Sequence, residues 1–212
     1  MVFEKVTRAV FDELLANDGS ARFRRELARY DLGSDPPARD DCAVLRGPLA
    51  ASDFVDVPAF NTLVMGDLTV DGLVDLGNAG AFDEGGLFVV LGNVACTVFS
   101  TGFAKGTFID GNLEADSLIL NAFDDSALVV MGNLRTYFFY GRDIWAEVGG
   151  KAEMHYGDGY CLPIGYTSAG AEAIEPLHDR ATSLRRLNLD NTDYIEPHRF
   201  LDLISSGRPV FK

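Results

Sequence analysis

The segment Val64-Met65-Gly66-Asp67-Leu68 and its copy Val130-Met131-Gly132-Asn133-Leu134 carry the pattern that decides the fold. Each is centred on a glycine, with an aliphatic residue two positions before it and another two positions after it. An apolar residue at every second position indicates a half-buried β-strand. Six glycines carry the pattern at spacings of 19, 26, 19, 21 and 18 residues: Gly47, Gly66, Gly92, Gly111, Gly132 and Gly150.

The two sides of each predicted strand differ in polarity. The residues directly after five of the glycines are polar, while the flanking alternate positions are aliphatic or small. The polar set is Asp67, Asn93, Asn112, Asn133 and Lys151, and the aliphatic residues before the glycines are Leu45, Val64, Val90, Ile109, Val130 and Val148. We therefore expect one side of each strand to face a common core.

The repeat length selects among the folds that such strands can build. A period near 20 residues is too short for a β-α-β unit, which needs about 30. Each strand must then stack on its equivalent in the next coil, about 4.8 Å away. Left-handed hexapeptide helices repeat at about 18 residues, but no six-residue period is present here. The sequence predicts a mainly β protein, a right-handed parallel β-helix of about six rungs over residues 42–166.

Both ends of the chain differ from the repeat. Residues 2–17 place Phe3, Val6, Val10 and Leu14 on one helical stripe, and Ser20 begins a second helix. Residues 1–41 are thus predicted to form a helical N-terminal cap and linker. Residues 167–212 are predicted to form a helical C-terminal cap, with Pro197 in the first turn of a helix that closes near Gly207.

The motif aliphatic-x-Gly-[Asp/Asn]-[Leu/Val] resembles the repeats of bactofilin-type, polymer-forming β-helices over residues 44–155. The resemblance implies a nucleotide-free filament whose rungs stack end to end. The long segments at both ends of the present chain depart from that pattern. Because folded ends cover strand edges, we expect a monomer or small homo-oligomer rather than a filament.

Composition limits the partners. The formal net charge is -14 for 212 residues, which disfavours nucleic acid as a partner and favours a basic protein.

The N-terminal residues lack the basic-then-apolar order of a secretion signal, and no apolar run approaches a membrane span of about 20 residues, so a cytoplasmic location is expected. Cys42, Cys96 and Cys161 show no metal-binding spacing and are expected to be packed free thiols. No cofactor or metal is predicted.

Carboxylates recur in a second set of related turns. Asp83 and Glu84, Asp124 and Asp125, and Asp143 each follow a similar aromatic residue in Ala81-Phe82, Ala122-Phe123 and Tyr140-Gly141. Three interpretations remain open: solvated turns, an acidic protein-binding flank, or a metal or catalytic site. The aromatic cluster that includes Tyr140 and Trp145 is either packing for the last rung or an interface anchor.

The predicted function is that of a non-catalytic protein-binding antagonist. Compact size, strong negative charge and the lack of a catalytic constellation favour an immunity or antitoxin-type protein that neutralises a basic toxin. The predicted contact residues are Asp83, Glu84, Asp124, Asp125, Tyr140, Asp143 and Trp145. A bactofilin-like structural scaffold is the first alternative, and a carbohydrate-active enzyme is the second.

Overall fold

The computed structural model describes residues 2–30, 41–55, 57–77, 85–122, 126–141, 145–166, 172–189 and 194–212. Strands dominate the middle of the chain, and the helices lie near its ends. The strands are β1 Glu4–Val6, β2 Cys42–Arg46, β3 Leu49–Ala51, β4 Asn61–Met65, β5 Leu68–Val70, β6 Leu73–Asp75, β7 Leu87–Val90, β8 Val94–Ser100, β9 Gly106–Ile109, β10 Leu113–Leu120, β11 Ala127–Val130, β12 Leu134–Gly141, β13 Trp145–Val148, β14 Ala152–Gly159 and β15 Leu162–Pro163. The helices are α1 Arg8–Asp18, α2 Ala21–Leu27, α3 Arg180–Leu184 and α4 Pro197–Ser205.

Two parallel sheets wind into a single coil. Sheet A has the order β1-β2-β4-β7-β9-β11-β13-β15, and sheet B has the order β3-β5-β8-β10-β12-β14 with β6 also paired to β8. All neighbours are parallel except β1, which is antiparallel to β2. Successive coils therefore stack strand on strand, and the predicted parallel β-solenoid of about six turns is confirmed.

The repeated glycines lie in register at the turn from sheet A to sheet B. The amide of Gly111 donates to Gly92 O at 2.9 Å, and Gly132 and Gly150 each continue the series at 2.8 Å. A Cβ built on Gly132 would lie 2.7 Å from Gly111 O, so this turn has no room for a side chain. The coils approach so closely here that only glycine fits.

The interior of the coil is filled by the predicted alternate residues. Residues from both sheets form one buried cluster, including Val64, Val90, Ile109 and Leu113. The second half of sheet B adds a third inward column, which the glycine pattern does not predict: Val74, Phe99, Ile119 and Phe139.

The polar residues after the glycines form an amide ladder on the outside of the turn. The backbone amide and the side-chain Nδ2 of Asn112 each donate a hydrogen bond to Asn93 Oδ1, both at 3.0 Å. Its own Oδ1 accepts the amide of Asn133 at 2.8 Å. Asp67 begins the ladder by accepting the amide of Asn93, and the amide of Lys151 ends it on Asn133. These side chains satisfy backbone donors that the turn leaves without strand partners.

The N-terminal helices lie along the side of the column. Phe11, Leu15 and Phe23 pack against outward-facing residues from five coils of sheet A, namely Val44, Leu63, Val89, Phe108 and Val129. The predicted stripe of Phe3, Val6, Val10 and Leu14 is wrong, because α1 begins at Arg8 and Val10 is exposed. Val6 belongs to β1 instead, and Phe3 directly precedes that strand.

The C-terminal segment covers another side. Phe200, Leu203 and Leu184 pack with Leu118, Leu120 and Phe138, which face outward from the second half of sheet B. The predicted helix with proline in its first turn is confirmed as α4, and Gly207 follows it with a φ of 66°. The residues before Tyr194 in the predicted cap are described only in part.

Both ends of the column are partly covered. At the N-terminal end β1 pairs along the edge of β2, and the Phe3 ring lies 6.3 Å from that of Phe54. At the other end the amides of Leu177 and His178 donate to the carbonyls of Met154 and His155 on β14. Among the described residues, no helix is long and apolar enough to cross a membrane.

Candidate functional site

The turns from sheet B back to sheet A emerge from one corner of the column, which we name the loop corner. Their starting residues are in register, in the order Asp75, Ser100, Leu120, Tyr140 and Asp158. Their ending residues are also in register, in the order Leu87, Gly106, Ala127 and Trp145. The loop corner thus connects the same two strand columns in each of these coils.

The predicted acidic residues belong to these turns but lie outside the described residues: Asp83, Glu84, Asp124, Asp125 and Asp143. The structure does describe the strand ends that carry their segments. The segment with Asp83 and Glu84 and the segment with Asp124 and Asp125 are two coils apart, and so their strand ends are separated by roughly 10 Å.

A buried polar network fixes the strand ends at this corner. Thr101 Oγ1 donates to Asn121 Oδ1 at 3.1 Å, and Ser126 Oγ donates to the same oxygen at 3.5 Å. The amide nitrogen Nδ2 of Asn121 donates to Trp145 O at 3.2 Å. Thr101, Asn121 and Ser126 are all buried, and the bond to Trp145 O extends the network to a third coil. Satisfied buried networks of this kind rigidify the structure around them.

Lys105 strengthens the same corner from the coil between the two acidic segments. Its side chain is buried, and Nζ donates to Gly85 O at 3.0 Å and to Phe60 O at 3.5 Å. The ammonium also lies 6.0 Å from the centroid of the Phe60 ring. One cation therefore ties three successive coils together next to the end of segment 78–84.

Tyr140 is not a surface residue. Its side chain is completely buried, and its hydroxyl donates to Ile195 O at 2.8 Å and accepts the amide of Ile195 at 3.0 Å. Its ring packs 5.0 Å from that of Phe200. The assignment of Tyr140 as an anchor for a partner is corrected, because this residue holds the C-terminal segment against the column.

Trp145 is the exposed aromatic residue at the end of segment 142–144. It is 42% exposed, and its indole Nε1 donates to the Tyr30 hydroxyl at 3.0 Å and to Glu147 Oε1 at 3.1 Å. Burial and the charge of Glu147 raise the pKa of Tyr30, so its hydroxyl stays protonated. The indole is held in one orientation while part of it faces solvent.

Much of the remaining aromatic cluster is packing. The Tyr137 ring lies 5.2 Å from that of Phe211, and Tyr156 stacks on His178 with centroids 4.5 Å apart. The guanidinium carbon of Arg186 lies 5.1 Å from the centroid of the Tyr156 ring, and Arg186 Nη2 donates to the Tyr156 hydroxyl at 3.0 Å. Tyr160 differs from these residues because it is 44% exposed.

The loop corner ends in a hollow of about 460 Å³, which we name the terminal hollow. The C-terminal end of β14 and the following Tyr160 form one wall, and residues 175–180 form the other. Asp158 is a buried residue of this lining, and its Oδ1 accepts a hydrogen bond from Arg180 Nε at 2.8 Å. The lining residues are Gly157, Asp158, Gly159, Tyr160, Glu175, Pro176, Leu177, His178, Asp179 and Arg180.

The histidines and cysteines do not converge on a site. In the described part of the chain, no group of three or more His, Cys, Asp or Glu side chains is arranged to hold a metal ion. The three cysteines are free and buried, as predicted. Burial raises the pKa of Cys96 to about 12, with a contribution from the charge of Asp116, and it raises that of Cys161 to about 12.

Comparison of this chain with protein-family models, with curated proteins and with solved structures found no match.

Proposed function

We propose that this protein is a non-catalytic antagonist that presents its loop corner to a basic protein, as an immunity or antitoxin-type protein does to a toxin. The observation that carries the proposal is the register of the strand ends that bear the acidic segments. In such a protein the carboxylates of Asp83, Glu84, Asp124, Asp125 and Asp143 would be repeated along one corner.

Rigidity of the scaffold favours this use of the corner. The network of Thr101, Asn121 and Ser126 and the buried Lys105 fix the strand ends before any partner arrives. Less ordering is then needed on binding, which improves affinity. A net charge of -14 would in addition speed the encounter with a basic partner.

The test compares two charge-reversed variants. The first changes Asp83, Glu84, Asp124 and Asp125 to lysine, and the matched control changes the exposed Glu13, Asp18, Glu172 and Asp202 to lysine. Both variants alter the net charge equally, so a general effect of charge will affect them alike. A partner captured from the native host with the wild-type protein provides the second reactant.

Association rates are measured by stopped flow at low and high ionic strength. The loop-corner variant should associate at least about tenfold more slowly at low salt and lose most of its salt dependence. The control should retain most of the wild-type rate. Equal rates for the two variants, both folded, would remove the loop corner as the binding surface.

A structural scaffold of the bactofilin type is the second candidate, and one observation favours it. Strand β3 at the N-terminal end of sheet B pairs with β5 on one side, and no described strand pairs with its other side. An edge of this kind can accept a further strand. Sedimentation velocity separates the two candidates, because only the scaffold is expected to form long filaments.

A further inference from the structure

We infer that the terminal hollow receives an arginine side chain of the protein partner. The inference rests on the proposed function, because the hollow lies at the C-terminal end of the loop corner. Asp158 and Gly159 of β14 line the hollow and are in register with Tyr140 and Gly141 of β12.

The charge of the hollow suits a cation. Its lining includes three carboxylates, those of Asp158, Glu175 and Asp179, against the single guanidinium of Arg180. Asp158 is paired with Arg180, whereas Glu175 and Asp179 are exposed at the rim. Asp179 accepts the amide and the hydroxyl of Thr182, one on each oxygen, and each exposed carboxylate oxygen can accept a further hydrogen bond. A second guanidinium can therefore approach the rim carboxylates without breaking the internal ion pair.

The apolar walls suit the remainder of an arginine side chain. Tyr160 is 44% exposed and Leu177 is 74% exposed, so both present apolar surface to a ligand. A planar guanidinium stacks on an aromatic ring, and its aliphatic stem covers apolar surface. Leucine and tyrosine beside carboxylates match that combination better than they match a small inorganic cation.

The walls are fixed in the free protein. The amide of Leu177 donates to Met154 O at 2.8 Å, and the amide of Gly157 donates to Ser183 Oγ at 3.0 Å. Asp179 caps α3 by accepting the amide of Thr182 at 2.9 Å. Because these contacts tie the second wall to β14, the hollow needs little rearrangement to bind.

The experiment uses the full chain and two capped pentapeptides, Gly-Arg-Gly-Arg-Gly and its counterpart with citrulline for arginine. Citrulline keeps the shape of arginine and lacks its charge. Trp145 is the single tryptophan of the chain and lies in the neighbouring turn, so its fluorescence reports on this end of the loop corner. Calorimetry gives the affinities independently.

We expect the arginine peptide to bind saturably and the citrulline peptide to bind at least about tenfold more weakly. Glu175→Gln with Asp179→Asn should lower the affinity for the arginine peptide by about tenfold. Asparagine at position 179 still caps the helix. Tyr160→Ala should lower the affinity for the arginine peptide by about fivefold. The matched control, Glu13→Gln with Asp18→Asn, removes two exposed carboxylates from α1 and should change affinity less than about twofold.

The outcomes separate this inference from the proposed function. Equal binding of the two peptides, or unchanged affinity in the Glu175 and Asp179 variant, overturns the arginine site. If the loop-corner charge reversal still slows association with the captured partner, the proposed function stands without the arginine site. If the reversal has no effect on the partner while the hollow still binds arginine, the hollow is retained and the loop corner is rejected.

Discussion

Arg29 after α2 and Glu147 of β13 form an ion pair between residues 118 positions apart, with Nη1 3.2 Å from Oε2. Glu147 is completely buried and occupies the outward position that Val129 and Phe108 hold in the two preceding coils. The guanidinium also binds Glu26 at 2.6 Å. This pair attaches the N-terminal helices to the last coils of sheet A.

Removing the cation should destabilise the protein. Arg29→Met removes this cation from two buried carboxylates, Glu26 and Glu147, and we expect the free energy of unfolding to fall by about 2–3 kcal/mol, since Arg29 is partly exposed. Arg29→Met with Glu147→Leu should recover part of the loss, because leucine continues the apolar column while the buried Glu26 keeps only Arg25. Urea unfolding gives these values. The control Arg25→Met, at an exposed side chain, should cost less than about 1 kcal/mol.

The same cluster predicts a pH dependence. Burial opposes ionisation of Glu26, but hydrogen bonds from Arg29 and Arg25 outweigh it and lower the pKa below the ordinary 4.5. A lowered carboxyl pKa adds stability that is present above about pH 4.5 and is lost as the pH falls through the folded-state pKa. Glu26→Gln should therefore lose less stability than the wild type between pH 6 and pH 3. Parallel curves of stability against pH for the variant and the wild type would contradict the lowered pKa of Glu26.

The amide ladder predicts a stability effect that surface exposure does not suggest. Asn112→Ala removes its Nδ2 bond to Asn93 and leaves the amide of Asn133 without its acceptor. We expect a loss of about 1–2 kcal/mol in the free energy of unfolding. Lys151→Ala is the control, because only the backbone amide of Lys151 joins the ladder. If the two variants are equally stable, the ladder contributes nothing.

Thr107 points to a stabilising substitution inside the coil. Its Oγ1 is buried and finds no hydrogen-bond partner among the described residues. Valine has the same shape without the hydroxyl, so Thr107→Val should raise the free energy of unfolding by about 1 kcal/mol. Thr62→Val is a matched comparison, since the Thr62 hydroxyl donates to Ala59 O at 3.1 Å and its loss should be destabilising.

The coil could be predicted from the sequence because its constraints are local and repeated. Gly92, Gly111 and Gly132 each sit between aliphatic residues at fixed offsets, and close packing of the coils demands that arrangement. The ends lack such repetition. Phe3 and Val6 fit a helical stripe, but pairing with β2 overrides that local preference.

The sides of the column that the helices cover have a signal in the sequence that is distinct from the period-two pattern. Strands β7 and β11 are the continuous apolar runs Leu87-Phe88-Val89-Val90 and Ala127-Leu128-Val129-Val130. Uninterrupted apolar strands indicate burial on both faces. The terminal hollow had no comparable signal, because its walls at Asp158 and Asp179 are brought together only by the fold.

The arrangement of the ends predicts the state of assembly. The edge of sheet A is occupied by β1, and the segment at Leu177 and His178 covers part of β14, so both ends are at least partly closed to strand addition. Sedimentation velocity at micromolar concentration should therefore show a monomer or small oligomer. Deleting residues 2–6 exposes β2 and should give larger species, whereas the control Val2→Ser leaves β1 in place and should not. Long filaments of the full chain in physiological salt would show that the open side of β3 dominates, and the scaffold function would then replace the antagonist as the better proposal.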